Sequence, residues 1–348
     1  MDGSLTIEQG TLYDFLSILM SNEDSVYSYP TIRSLVRLQS WFRSLSQFNP
    51  VPRARFNARH HYDLPVTFYE LFLDRDYQYS CAYFTEPHHD LEQAQFDKKR
   101  HIAAKLLLAP GQRVLDIGSG WGGLAIDLAR QGCSVLGVSL AEEQIAVSRR
   151  RALEAGLADR VEFAARDYRE LDETFDRIVS VGMFEHVGVN HYPTFFRQIR
   201  KLLHDDGVAL VHSIGRMSGP GTTNPWIRKY IFPGGYSPAL SEVLPVVEQL
   251  GLWVTDVEIL RLHYASTLRL WRQRFATHEA EVRQAYGERF CRMWEFYLVA
   301  SELAFRHSDH MVFQLQLAKR RDAVPLTRDY MLEAERDGAM ETSAIAAE

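Results

Sequence analysis

Val114-Leu115-Asp116-Ile117-Gly118-Ser119-Gly120-Trp121-Gly122-Gly123 is the stretch that decides the fold. An apolar run ends in a glycine-dense turn, and Leu124-Ala125-Ile126-Asp127-Leu128-Ala129 then resumes at helical spacing. Strand, tight turn and helix in that order open a nucleotide-binding α/β unit. Glycine supplies positive φ at such a turn, and its missing side chain lets a ligand approach the backbone.

The rest of the chain repeats the rhythm. Residues 134–139 read as a second buried strand, and residues 142–155 as a helix closed by Gly156. A third strand starts at 161–163 and runs into Asp167-Tyr168; a fourth covers 175–181 and a fifth 208–214, after a helix over 192–203. Helix over 240–250, strand over 253–262, a long helical stretch over 267–305 and an alternating strand over 311–317 follow. The pattern predicts an α/β fold, a doubly wound, mostly parallel, seven-stranded Rossmann-like sheet. Residues 1–52 read as a helical N-terminal appendage, and 53–322 as the main domain. Residues 216–238 break the rhythm with Gly219-Pro220-Gly221 and Pro233-Gly234-Gly235 among aromatics, and read as an inserted lid. The polar tail, 323–348, reads as frayed.

Composition sets bounds. The 348 residues are 46% hydrophobic and carry a net charge of −6, which argues against nucleic acid as a partner and confines any membrane contact to a local patch. Cys81, Cys133 and Cys291 are far apart, so a reduced, cytoplasmic compartment is expected. No transmembrane run or secretory leader is expected. His60, His61, His88 and His89 lack partners at metal-ligand spacing, so no metal is expected. Arg149-Arg150-Arg151 reads as the wet face of a helix.

The glycine turn has two candidate ligands. A dinucleotide needs an acid at the end of the second strand, about 20 residues on, to hold a ribose. Here that strand ends in Ser139-Leu140-Ala141, and Trp121 stands where a pyrophosphate would need room. S-adenosylmethionine carries no phosphate, and the Asp-Ile-Gly-x-Gly form with the Asp167-Tyr168 pair favours it.

Further motifs sharpen this. His61-Tyr62-Asp63-Leu64, Gln78-Tyr79-Ser80-Cys81-Ala82-Tyr83, Phe184-Glu185-His186-Val187-Gly188, His212-Ser213-Ile214-Gly215, Lys229-Tyr230-Ile231-Phe232-Pro233, and Tyr264 before Thr267-Leu268 and Trp271 stand along residues 55–320. With them the chain resembles the cyclopropane-fatty-acyl-phospholipid synthases, within the class I S-adenosylmethionine-dependent methyltransferases. The resemblance implies cofactor contacts from Tyr79, Ser80, Gly118, Gly120, Ser139, Leu140, Gln144, Asp167 and Tyr168. It also implies a bicarbonate ion, the catalytic base, held by Cys81, Glu185, His212, Tyr264 and the backbone at Ile214. Two departures stand out: Ser119 replaces a common cysteine, and Leu262-His263 replaces an Ala-Asp pair found in some members.

What the resemblance implies is addition of a methylene across a cis double bond of a phospholipid acyl chain, at the membrane surface, by a peripherally associated enzyme. A homodimer is admitted as its assembly. Attack by an isolated alkene leaves a carbocation, so water must be excluded and a base must take a proton from the new methyl. Tyr83, Phe84, Trp226, Tyr230, Phe232, Tyr236 and Trp271 are the candidate walls, and Glu185 the ionised acceptor orienting the bicarbonate. The rival readings are a methylase giving a branched product, an N-methylase of a small amine, and a non-catalytic lipid-binding protein.

Overall fold

The computed structural model describes residues 1–22 and 64–336. Most of the expected N-terminal appendage, with His60, His61, Tyr62 and Asp63, lies outside the described residues. Seven strands form one sheet in the order β3-β2-β1-β4-β5-β7-β6. They are β1 Arg113–Ile117, β2 Ser134–Val138, β3 Val161–Ala164, β4 Phe175–Val181, β5 Leu203–Arg216, β6 Trp253–Ile259 and β7 His310–Ala318. Strands β1 to β5 pair in parallel, and their central residues are buried on both faces, which is why they read as unbroken apolar runs. β7 alone runs antiparallel, inserted between β5 and β6.

Local chemistry explains the element ends. The helix Glu142–Glu154 is followed by Gly156 at φ 66, as its sequence predicts. The stretch 267–305 is not one helix but part of three: His263–Thr277, Glu279–Tyr286 and Glu288–His307. Gly287, at φ 84, makes the second break. The strand expected over 253–262 stops at Ile259, which puts Tyr264 in the first turn of a helix.

These helices, with Val66–Glu70, build a second core of aromatic rings beside the sheet. Phe68 meets Trp294 edge-on with centroids 4.8 Å apart, and fully buried Trp271 stacks on Tyr79 at 5.1 Å. The segment 216–238 contains the short helix Pro225–Tyr230 and is tied down by Tyr236. Its N–H donates to the Glu185 carbonyl at 2.9 Å, and its hydroxyl donates to Glu242 at 2.7 Å and accepts from the Gly221 N–H at 3.1 Å.

The tail departs from expectation over residues 328–336. Met331 is buried, the Tyr330 hydroxyl accepts from Gln316 Nε2 at 2.8 Å, Arg328 pairs with Asp256, and Glu335 bonds His101. The reason is that β7 and the helix Leu91–Lys105 bury polar side chains whose partners the tail supplies.

Candidate active site

A cavity opens at the carboxyl ends of β1, β2 and β4, where open α/β sheets bind ligands. All nine expected cofactor residues line it: Tyr79, Ser80, Gly118, Gly120, Ser139, Leu140, Gln144, Asp167 and Tyr168. The turn is shaped by its glycines. Gly118 has φ 84, and a Cβ there would stand 2.7 Å from Met183 Cβ; at Gly120 a Cβ would meet nothing within 4 Å, so the backbone faces open space. The Gly118 and Ser119 N–H groups both donate to the Val138 carbonyl, at 2.8 and 3.1 Å, which pins the turn to the end of β2. Asp167 accepts from the Arg169 guanidinium at 2.8 and 2.6 Å and from its backbone N–H at 3.0 Å.

The donor set fits S-adenosylmethionine. Asp116 Oδ2, Ser119 Oγ and Gln144 Nε2 are buried here without a hydrogen-bond partner, giving acceptors and donors suited to an amino-acid end. Burial pushes the Asp116 carboxyl up to about 7.

Helix Leu91–Lys105 contributes residues that the sequence does not advertise. Fully buried Lys98 donates to Gln78 Oε1 and Ser80 Oγ, both at 2.8 Å. Gln95 Nε2 donates to the Gln78 and Ser80 carbonyls at 3.2 and 3.0 Å. Together they hold the aromatic loop in place. Burial pushes the Lys98 ammonium down to about 7, with Asp74 opposing. The signal was their shared face at i, i+3, but Gln-Phe-Asp-Lys-Lys-Arg-His reads as a solvated surface.

A second cavity adjoins the first and shares Tyr79, Ser80, Gly182 and His186 with it. It brings together Cys81, Glu185, His212, Ile214 and Tyr264, which are far apart in the chain. Glu185 sits in a 3-10 turn just after β4; its Oε1 accepts from the Ile214 N–H at 2.7 Å, and its Oε2 has no partner. Burial pushes this carboxyl up to about 7, opposed by the Ile214 N–H. Glu185 is therefore part-protonated near neutral pH rather than the simple ionised acceptor expected. The Ile214 N–H, expected to face a bound ion, is committed to Glu185.

Burial, then the Lys98 and Lys105 charges, hold the His212 imidazole well below its usual range. His186 is pushed down to about 4 by burial. The Cys81 thiol is driven far up by burial, so it stays a thiol, donating to the Ala82 carbonyl at 3.3 Å. Tyr264 is buried against Trp271 and Phe305, with centroids 5.8 and 4.9 Å away.

Some expected wall residues lie elsewhere. Phe232 and Tyr236 line the second cavity, joined by Ile227 and Thr223. Tyr83 instead stacks between His101 (4.1 Å) and His263 (5.0 Å), Phe84 donates its N–H to His263 at 2.9 Å, and Trp271 lies behind Tyr79. Trp226 packs on Phe296 at 4.7 Å and on Tyr230 at 5.4 Å. The arginine run is a wet face only in part: Arg149 and Arg150 are exposed, with Arg149 also donating to the Phe163 carbonyl, whereas Arg151 turns inward to Asp76 and the Trp121 carbonyl. Among the described residues no group of three or more His, Cys, Asp or Glu could hold a metal, and no helix is long and apolar enough to cross a membrane.

A family model described as mycolic acid cyclopropane synthetase matches residues 51–315. A probable fatty acid methyltransferase of Pseudomonas putida is 41% identical over 255 residues, covering 71% of this chain and 64% of that enzyme. The cyclopropane-fatty-acyl-phospholipid synthase of Escherichia coli K12 is 40% identical over 268 residues, covering 77% of this chain and 69% of that enzyme. The chain thus spans about two thirds of each. In three dimensions it superimposes on mycolic acid cyclopropane synthase CmaA1, complexed with SAH and CTAB, with TM-score 0.71, 31% identity, and coverage of 78% of this chain and 99% of that one.

Proposed function

The chain belongs to the mycolic acid cyclopropane synthetase family of S-adenosylmethionine-dependent methyltransferases, and on that premise we propose that it adds a methylene bridge across a cis double bond of an unsaturated phospholipid acyl chain. The observation that carries this is the shared wall. The cofactor cavity and the cavity of Cys81, Glu185, His212 and Tyr264 meet at Tyr79, Ser80, Gly182 and His186. A methyl group presented from the first reaches acid–base groups in the second.

S-adenosylmethionine supplies the activated methyl group, held by the glycine turn, Ser139, Gln144, Asp167 and Tyr168. Alkylation of the alkene leaves positive charge on carbon, and loss of a proton from the transferred methyl closes the ring. Phe232 and Tyr236 exclude water and present ring faces to the cation. Bicarbonate is the proposed base: Glu185, with Oε2 free and a proton affinity matched to neutral pH, orients it, while His212 and Tyr264 donate to it. A likeness to an enzyme crystallised with CTAB, a long-chain cation, supports a lipid acceptor.

The lid helix Pro225–Tyr230 exposes Arg228 and Lys229 beside half-buried Trp226 and Tyr230, and we assign it the membrane-surface contact. Arg216 takes no part, since it lies within the molecule near Asp309. Sedimentation with anionic liposomes tests this: a Trp226→Ala/Tyr230→Ala variant that binds as well as the parent rejects the contact.

Mass spectrometry of fatty acids from cells rich in unsaturated lipid, expressing the protein, tests the reaction. A ring product supports it. The Pseudomonas putida relative, named a fatty acid methyltransferase, favours methyl-branched product as the second reading, and that product would replace ours. Unchanged lipids would reject both and leave an amine acceptor.

A further inference from the structure

Gln314 lies in the middle of β7 and is fully buried. The sheet register sets it opposite His212 of β5 on one side and Glu258 of β6 on the other. Its Nε2 stands 3.1 Å from His212 Nδ1, whereas its Oε1 has no partner. With the amide turned this way its nitrogen offers only N–H, so Nδ1 accepts and the single proton of a neutral imidazole is left on Nε2.

We propose that Gln314 is a positioning residue: it locks His212 in the Nε2–H tautomer, so the ring meets the second cavity as a hydrogen-bond donor and not as a base. This rests on the reaction proposed above, and it names the chemistry His212 recognises there, an acceptor oxygen such as that of an oxyanion. The surroundings agree. The Lys98, Lys105 and His101 charges all disfavour a second proton on the ring. Glu258, across Gln314 in the sheet, is engaged by His101 Nε2 at 2.6 Å and by Lys105, and Glu185, in the same cavity as His212, accepts from the Ile214 N–H. A buried amide with one end unsatisfied is a cost that an apolar side chain of similar volume would avoid. Its neighbours Phe313 and Leu315 are buried and apolar. The proton thus cannot be taken by His212, and the base must be a group that His212 orients.

The test is nitrogen NMR on the full chain labelled with ¹⁵N-histidine, with His212 assigned by its loss in His212→Gln. Long-range proton–nitrogen correlations report which ring nitrogen carries hydrogen. We expect a protonated Nε2 and a bare Nδ1 at neutral pH; a protonated Nδ1 overturns the proposal, whatever any variant does. In Gln314→Leu the tautomer preference is lost and kcat falls by about tenfold to a hundredfold, the range for residues acting through a neighbour. KM for S-adenosylmethionine and affinity for S-adenosylhomocysteine stay at the parent values, since Gln314 does not line the cofactor cavity. A Leu variant with the parent tautomer and full turnover also overturns it. If the wild-type ring shows Nε2–H while no lipid product forms, the tautomer assignment stands and the reaction is what fails.

Discussion

Glu185→Gln is expected to make the protein more stable above neutral pH while removing its product. The folded protein holds the Glu185 proton more tightly than the unfolded chain does, because burial raises the carboxyl from 4.5 to about 7. For an acid raised in this way, stability is untouched below the unfolded value. It falls as pH climbs from there to about 7, and then stays reduced. One pKa unit is worth about 1.4 kcal/mol, so the full penalty is roughly 3 kcal/mol. Glutamine cannot ionise, yet it keeps an oxygen for the Ile214 N–H that Oε1 now accepts at 2.7 Å. Urea unfolding at about pH 8 should therefore show the variant ahead by roughly 2–3 kcal/mol, and near pH 4.5 the two proteins should match. Fatty-acid analysis of expressing cells should show little or no product. Equal stability at the higher pH would refute the buried, part-protonated carboxyl, and full product would refute its role in orienting the base.

Gly118→Ala places a Cβ at φ 84 and 2.7 Å from Met183, so we expect a loss of about 1–3 kcal/mol in unfolding and weakened S-adenosylhomocysteine binding by calorimetry. Lys98→Met removes the two hydrogen bonds that its ammonium gives to Gln78 and Ser80, and the dissociation constant for S-adenosylhomocysteine should rise about tenfold, close to 1.4 kcal/mol; unchanged affinity would separate the lysine from the cofactor loop. Trp271→Ala empties a fully buried site behind Tyr79, and chemical denaturation should show a cost of about 3–5 kcal/mol.

The order of strands and helices was legible because it rests on local rules. Periodicity marks a buried strand, and a glycine cluster marks the turn after β1, whatever the rest of the chain does. Glu185 and His212 could be nominated for a similar reason, since both lie in motif-bearing stretches at or near the carboxyl ends of β4 and β5. Less visible was the break at Gly287, where a positive φ interrupts a pattern that otherwise continues as helix. The aromatic walls were harder still. Phe232 and Tyr83 are both aromatic residues in aromatic stretches of the sequence, and only packing sends one to the cavity and the other between two histidines.

By itself, then, the sequence determined an α/β sheet, a glycine turn suited to S-adenosylmethionine and the residues from which a site would be drawn. The tertiary structure alone decided their electrostatics. Lys98 and Arg151 read as wet cations and prove to be internal braces, and the tail reads as frayed yet closes over His101. Glu185 reads as a plain carboxylate, but enclosure lifts its proton affinity to neutral pH. The partner of His212 comes from Gln314, 102 residues away, through the antiparallel insertion of β7. Desolvation and cross-strand pairing depend on what surrounds a side chain in space, and no window of neighbouring residues contains that information.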